Sequence, residues 1–111
     1  MLKTSTQPAL AGRAFRKLGR DLRDARRRRR IPAAILAERA ALSRMTLFRI
    51  ERGDPSVSLG GYTGVLFALG MIDRLADLAD PRHDAVGLAL DEEHLPQRIR
   101  LPKPKPPLAG G

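Results

Sequence analysis

The chain has 111 residues, enough for one ordinary domain, with 42% apolar but only 4% aromatic residues, so its core must be built from Leu, Ile, Val and Ala. It has no cysteine, which excludes disulfides and thiolate metal sites and suits a reducing cytoplasm. No run approaches the roughly 18 apolar residues of a membrane-spanning helix, no signal peptide follows Met1-Leu2-Lys3-Thr4, and the net charge of +9 points to a polyanionic partner.

Residues 1–11 read as a flexible arm, with Pro8 and no apolar period. A helix is predicted from Gly12 to Arg29, with Phe15, Leu18, Leu22 and Ala25 on one stripe. Ile31-Pro32 ends it, because the residue before a proline avoids the α region. Pro32 suits the start of a second helix over 33–40, with Leu36, Ala37 and Ala40 inward. Ala41-Leu42 forms a turn, and Ser43 caps a third helix over 44–52 with Leu47 and Ile50 inward. Gly53 ends that helix as a left-handed residue.

Ser58 caps a fourth helix reaching Leu69, whose stripe is Leu59, Tyr62, Val65, Leu66 and Leu69. A fifth helix is predicted over 71–79, with Ile72, Leu75 and Leu78 inward, and a short last one over 83–93 around Val86 and Leu90. From Pro96 the prolines predict an extended tail, in which Ile99 and Leu101 suit a short strand against a partner. The expected division is thus an arm at 1–11, a helical domain at 12–95 and a Pro/Lys-rich tail at 96–111.

Charge is unevenly spread. Residues 1–52 hold 15 Lys+Arg against 4 Asp+Glu, a net of +11. Residues 53–95 hold 2 against 8, a net of −6, and residues 96–111 hold 4 against none. A basic half beside an acidic half predicts two kinds of partner, and the basic one suits DNA.

The segment 33–52 meets the demands of a helix-turn-helix. Such a motif needs two helices across a short turn, the first over the DNA backbone and the second in the major groove. Ala37 is small enough for close helix contact, and Ala41 occupies the turn position that must tolerate a left-handed backbone. Leu36, Ala37, Leu42, Leu47 and Ile50 form the apolar anchor. Arg44, Met45, Thr46, Phe48 and Arg49 face outward.

The run Leu36-Ala37-Glu38-Arg39-Ala40, Leu42-Ser43-Arg44, Thr46-Leu47 and Arg49-Ile50-Glu51-Arg52-Gly53 resembles the Cro/C1-type (XRE) helix-turn-helix family. The stretch Gly53-Asp54-Pro55-Ser56-Val57-Ser58-Leu59-Gly60, with Val65 to Gly70, Leu78 to Asp84 and Gly87 to Leu90, is similar to HipB-like antitoxins of HipA-like serine/threonine kinase toxins. Two positions depart from the family: Ala33 stands where Gln is common, and Ala41 where Gly is usual. The resemblance implies an all-α, five-helix domain with a short extra C-terminal helix. It also implies a partly buried ion pair between Arg26 and Glu51.

Arg44 and Arg49 are the candidate base readers, since Arg matches guanine O6 and N7, and phosphate contact alone is the alternative. Met45 and Phe48 suit thymine methyls, and Phe48 equally suits an interface. Ser43, Thr46 and Arg27 are candidate phosphate contacts. Neither His83 and His94 nor Asp91-Glu92-Glu93 forms a metal or catalytic constellation, so no enzyme, cofactor or metal is expected.

One reading helix spans too few base pairs for specificity, so a homodimer on an inverted-repeat operator is expected, paired through helix five and beyond. The resemblance implies a cytoplasmic, nucleoid-associated repressor that also binds a HipA-like kinase through the acidic half and autoregulates its operon. The alternatives are a free-standing XRE-type or phage-type repressor, and an interaction adaptor that no longer binds DNA.

Overall fold

The computed structural model describes the backbone of residues 6–100 and the side chains of residues 8–94. The described chain is all-helical: α1 (Thr6–Arg28), α2 (Ala33–Arg39), α3 (Arg44–Glu51), α4 (Leu59–Ala68), α5 (Asp73–Ala76), a 3-10 turn (Pro81–His83) and α6 (Ala85–Arg100). It divides into two compact units, the first ending at Leu75 and the second starting at Ala76. None of its helices is long and apolar enough to cross a membrane.

The first unit is held by one apolar core. Leu22 and Ala25 of α1, Leu36 and Ala37 of α2, Ala40, Leu47 and Ile50 of α3, and Tyr62, Val65 and Leu69 are buried together. Phe15, Ile31, Leu42, Val57, Leu66 and Met71 pack around them. The short helices α2 and α3 are too brief to stand alone. Their stability comes from this shared core, in which α3 touches α1, α2 and α4.

α1 lies backbone to backbone against the end of α3. A Cβ on Gly19 would sit 2.6 Å from the Gly53 nitrogen and 2.7 Å from the Ile50 and Glu51 carbonyl oxygens. A Cβ on Gly53 would run into the Phe15 carbonyl. Two glycines facing each other let the helices approach closely.

The helices α1, α2, α3 and α4 end in the same way. After each, a residue with positive φ reverses the chain: Arg30 (φ 55), Ala41 (φ 58), Gly53 (φ 77) and Gly70 (φ 77). Paired bonds accompany each reversal, as in Leu42 N–H to the Ala37 carbonyl (2.9 Å) and Ala41 N–H to the Glu38 carbonyl (3.0 Å). This is the Schellman pattern, which satisfies carbonyls that the helix end leaves open. Ser43 and Ser58 cap the starts of α3 and α4, accepting from Thr46 N–H and Gly61 N–H.

Several elements differ from the sequence reading. The arm predicted for 1–11 is helical from Thr6. Pro8 lies in the first turn, where a missing N–H costs nothing. Leu59 is 65% exposed rather than inward, because it begins α4 ahead of the buried stripe at Tyr62 and Val65. Helix five is reduced to Asp73–Ala76, and Leu78 is 75% exposed. The final helix runs over 85–100 instead of 83–93, so 96–100 is helical rather than extended, and Ile99 lies in helix, not strand. Pro96 forfeits one helical hydrogen bond there, but Gln97, Arg98 and Arg100 are good helix formers. Val86, Leu88 and Leu90 of α6 are exposed. The remaining Pro/Lys-rich stretch, including Leu101, lies outside the described residues.

In the second unit, Asp80 caps the 3-10 turn and Asp84 caps α6 by accepting from Gly87 N–H. Arg82 bridges Asp77 and Asp80, and His83 Nε2 lies 2.9 Å from Asp77.

Candidate nucleic-acid interface

Burying Leu47 and Ile50 fixes which way α3 turns. The opposite face then carries Arg44, Met45, Phe48, Arg49 and Arg52. Met45 is 65% and Phe48 53% exposed, which puts apolar surface beside the arginines on this face. The Arg52 guanidinium lies over the Phe48 ring, 5.3 Å from its centroid.

An open groove of about 690 Å³ borders this face, lined by Arg23, Arg26 and Arg27 of α1, Ala33 of α2, and Arg44, Met45, Phe48, Glu51 and Arg52. Arg27, named from sequence as a phosphate contact, therefore lines the same groove as Arg44 and Phe48. Arg23 and Arg52 were missed by sequence reasoning. Helical spacing could have found both, since Arg23 precedes Arg27 by one turn and Arg52 follows Phe48 by one turn.

In the wall of the groove, Arg26 and Glu51 form a two-point pair. Arg26 Nε donates to Glu51 Oε2 at 2.7 Å and Nη2 to Oε1 at 3.1 Å. Arg26 Nη1 also donates to the Ile31 carbonyl at 3.1 Å, tying down the turn after α1. The hydrogen bonds to Glu51 raise the Arg26 pKa above its ordinary value.

The other candidates are partly committed within the protein. Ser43 Oγ accepts from Thr46 N–H and donates to Thr46 Oγ1 at 2.9 Å, so its own proton is engaged. The Thr46 hydroxyl keeps a proton to give. Arg49 is half-buried: its Nε donates to Asp54 Oδ2 at 2.9 Å and its Nη2 to Ser56 Oγ at 2.8 Å. Ser56 in turn donates through N–H and Oγ to Asp54 Oδ1, at 2.8 and 2.7 Å. These bonds, from Ser56 first and Arg49 second, hold the Asp54 carboxyl down at about 2. The buried Tyr62 hydroxyl donates to the Asp54 carbonyl at 2.7 Å, fixing the loop to the core. Burial, and then the Asp54 charge, push the Tyr62 phenol up.

Among the described residues, no group of three or more His, Asp or Glu side chains is placed to hold a metal ion. The site is thus a ridge of arginines and exposed apolar side chains on one helix, backed by a rigid core. It offers cationic hydrogen-bond donors and apolar contact. No family model, curated protein or solved structure matches the chain.

Proposed function

We propose that α2 and α3 form a helix-turn-helix of Cro/C1 type and that the chain is a sequence-specific DNA-binding repressor. The observation that carries this is the exposed face of α3, where Arg44, Met45, Phe48, Arg49 and Arg52 project opposite buried Leu47 and Ile50. Arginine forks read guanine edges, and Met45 and Phe48 suit thymine methyls. Arg23 and Arg27 line the groove beside the helix, and their cationic side chains suit backbone phosphates. Binding as a homodimer doubles the site on an inverted repeat, and occupancy of a promoter gives repression.

The protein's own upstream DNA in a mobility-shift assay tests this. Specific retardation is expected, weakened at least tenfold by Arg44→Ala and by Arg49→Ala. Binding indifferent to both changes would refute the assignment of the reading face.

The resemblance to HipB-like antitoxins adds a HipA-like kinase as second partner, with the pair repressing its own operon. The supporting observation is the second unit, where exposed Val86, Leu88 and Leu90 stand among Asp84, Asp91, Glu92 and Glu93. Affinity capture from the native host should recover a kinase, and its loss on Leu88→Glu would locate the contact.

A further inference from the structure

Arg49 can meet DNA in two ways, depending on which of its hydrogen atoms are already used. The guanidinium has five N–H donors: a side edge formed by Nε and Nη2, and an end-on fork formed by Nη1 and the outer Nη2 hydrogen. Capture of the fork would block bidentate contact with guanine, and the loop would then be inhibitory. Capture of the side edge would leave the fork free and fix its direction.

Both contacts use the nitrogens of the side edge. Nε donates to Asp54 Oδ2 and Nη2 to Ser56 Oγ. The Ser56 hydroxyl passes its proton to Asp54 Oδ1, closing a ring of three side chains. This ring is anchored at both ends. Asp54 N–H donates to the Arg49 carbonyl at 3.0 Å, and the Asp54 carbonyl accepts from the buried Tyr62 hydroxyl. The Nη1 hydrogens are in neither bond. A long side chain that would otherwise lose rotamer freedom on binding is already ordered.

Resting on the DNA-binding proposal, we infer that Asp54 and Ser56 are specificity-determining positioning residues, which hold Arg49 by its side edge and aim its free fork at one guanine in each half-site. Neither residue needs to touch the DNA. They act through Arg49, so their removal loosens the choice of base at one position while leaving the phosphate contacts of the flanking arginines in place.

The test is selection from random DNA duplexes by the full chain, followed by affinities for the selected site and for the same site with one guanine changed to adenine. The wild type is expected to discriminate by about tenfold or more at that base pair. Asp54→Ala is expected to cut the ratio below threefold, and Ser56→Ala to reduce it partly. Asp54→Asn, which keeps an acceptor without the charge, should recover part of the loss. The thermal midpoint of each variant separates positioning from folding. A wild type that selects a motif, with Asp54→Ala selecting the same motif equally strictly, overturns this inference alone. Loss of discrimination at every position together, in step with a fall in thermal midpoint, also overturns it, in favour of a folding role. Failure of the wild type to select any motif overturns the DNA-binding proposal and this inference with it.

Discussion

Arg26 of α1 and Glu51 at the end of α3 are joined at two points, with side chains only 15% and 10% exposed. Glu51 stands at the negative end of the α3 dipole, where an acid is unfavourable unless paired. Arg26→Ala should therefore destabilise the first unit by about 2–3 kcal/mol, somewhat below a fully buried pair, because one charge is left stranded. The double change Arg26→Met with Glu51→Leu should cost less than Arg26→Ala alone. Urea unfolding of these two variants, and of Arg26→Met and Glu51→Leu singly, checks this, and additive losses in the double change would show that the two side chains are not coupled.

Gly19 gives a second prediction. On an exposed helix face, Gly→Ala would stabilise by about 1 kcal/mol. Here the new Cβ would meet backbone atoms of Ile50, Glu51 and Gly53 at 2.6–2.7 Å, and backbone has no rotamer to yield. Gly19→Ala should reverse the sign and cost about 1–3 kcal/mol. Its thermal midpoint reads the outcome directly.

Ala41 and Arg30 hold left-handed conformations without being glycine. That strain is about 1–2 kcal/mol per residue, partly offset by the freedom glycine brings to the unfolded chain. Ala41→Gly and Arg30→Gly should each stabilise by about 0.5–1 kcal/mol in chemical denaturation. The α2–α3 turn is the sharper case, since Ala41 has no side-chain function to lose.

Asp54 sets a pH dependence. Its folded pKa is about 2 against an ordinary 3.8, so it favours the folded clasp. The contribution is complete above about pH 4 and is lost as pH falls from there through about 2. Carboxyl carbon shifts followed by NMR should titrate near 2 in the wild type. They should move toward 3.8 in Ser56→Ala, and less so in Arg49→Lys, because Ser56 is the larger cause. A wild-type midpoint near 3.8 would show that the ring of hydrogen bonds does not persist in solution.

The two classes of arginine should separate by salt. Arg27→Gln should weaken all duplexes alike and reduce the slope of log affinity against log salt by about one per protomer. Arg44→Ala should change base preference as well. Equal base profiles in the two variants would remove the distinction between positioning and reading.

Much of the first unit was legible in the sequence because its signals are local. Apolar residues at helical spacing mark the inward faces of α1, α2 and α3, except that Leu18, read as part of the α1 stripe, is 37% exposed. Ser43 and Ser58 announced helix starts, and Gly53 and Gly70 announced ends. The short links between α2, α3 and α4 left little freedom in which helices became neighbours. The same local logic fails at Pro8 and Pro96, where proline predicts a break though the backbone is helical at both.

What only the tertiary structure decided is which partners meet across the chain. Spacing put Arg49 on the outer face of α3, but not that Asp54 and Ser56 grip its side edge and leave its fork free. Nor did spacing bring Arg23 of α1 beside Phe48 and Arg52 into one groove, or set Gly19 against Gly53. These relationships depend on how α1 and the loop after α3 close on the core, and on hydrogen-bond directions within a guanidinium. Periodicity carries the face of a helix; it carries no information about what stands opposite that face.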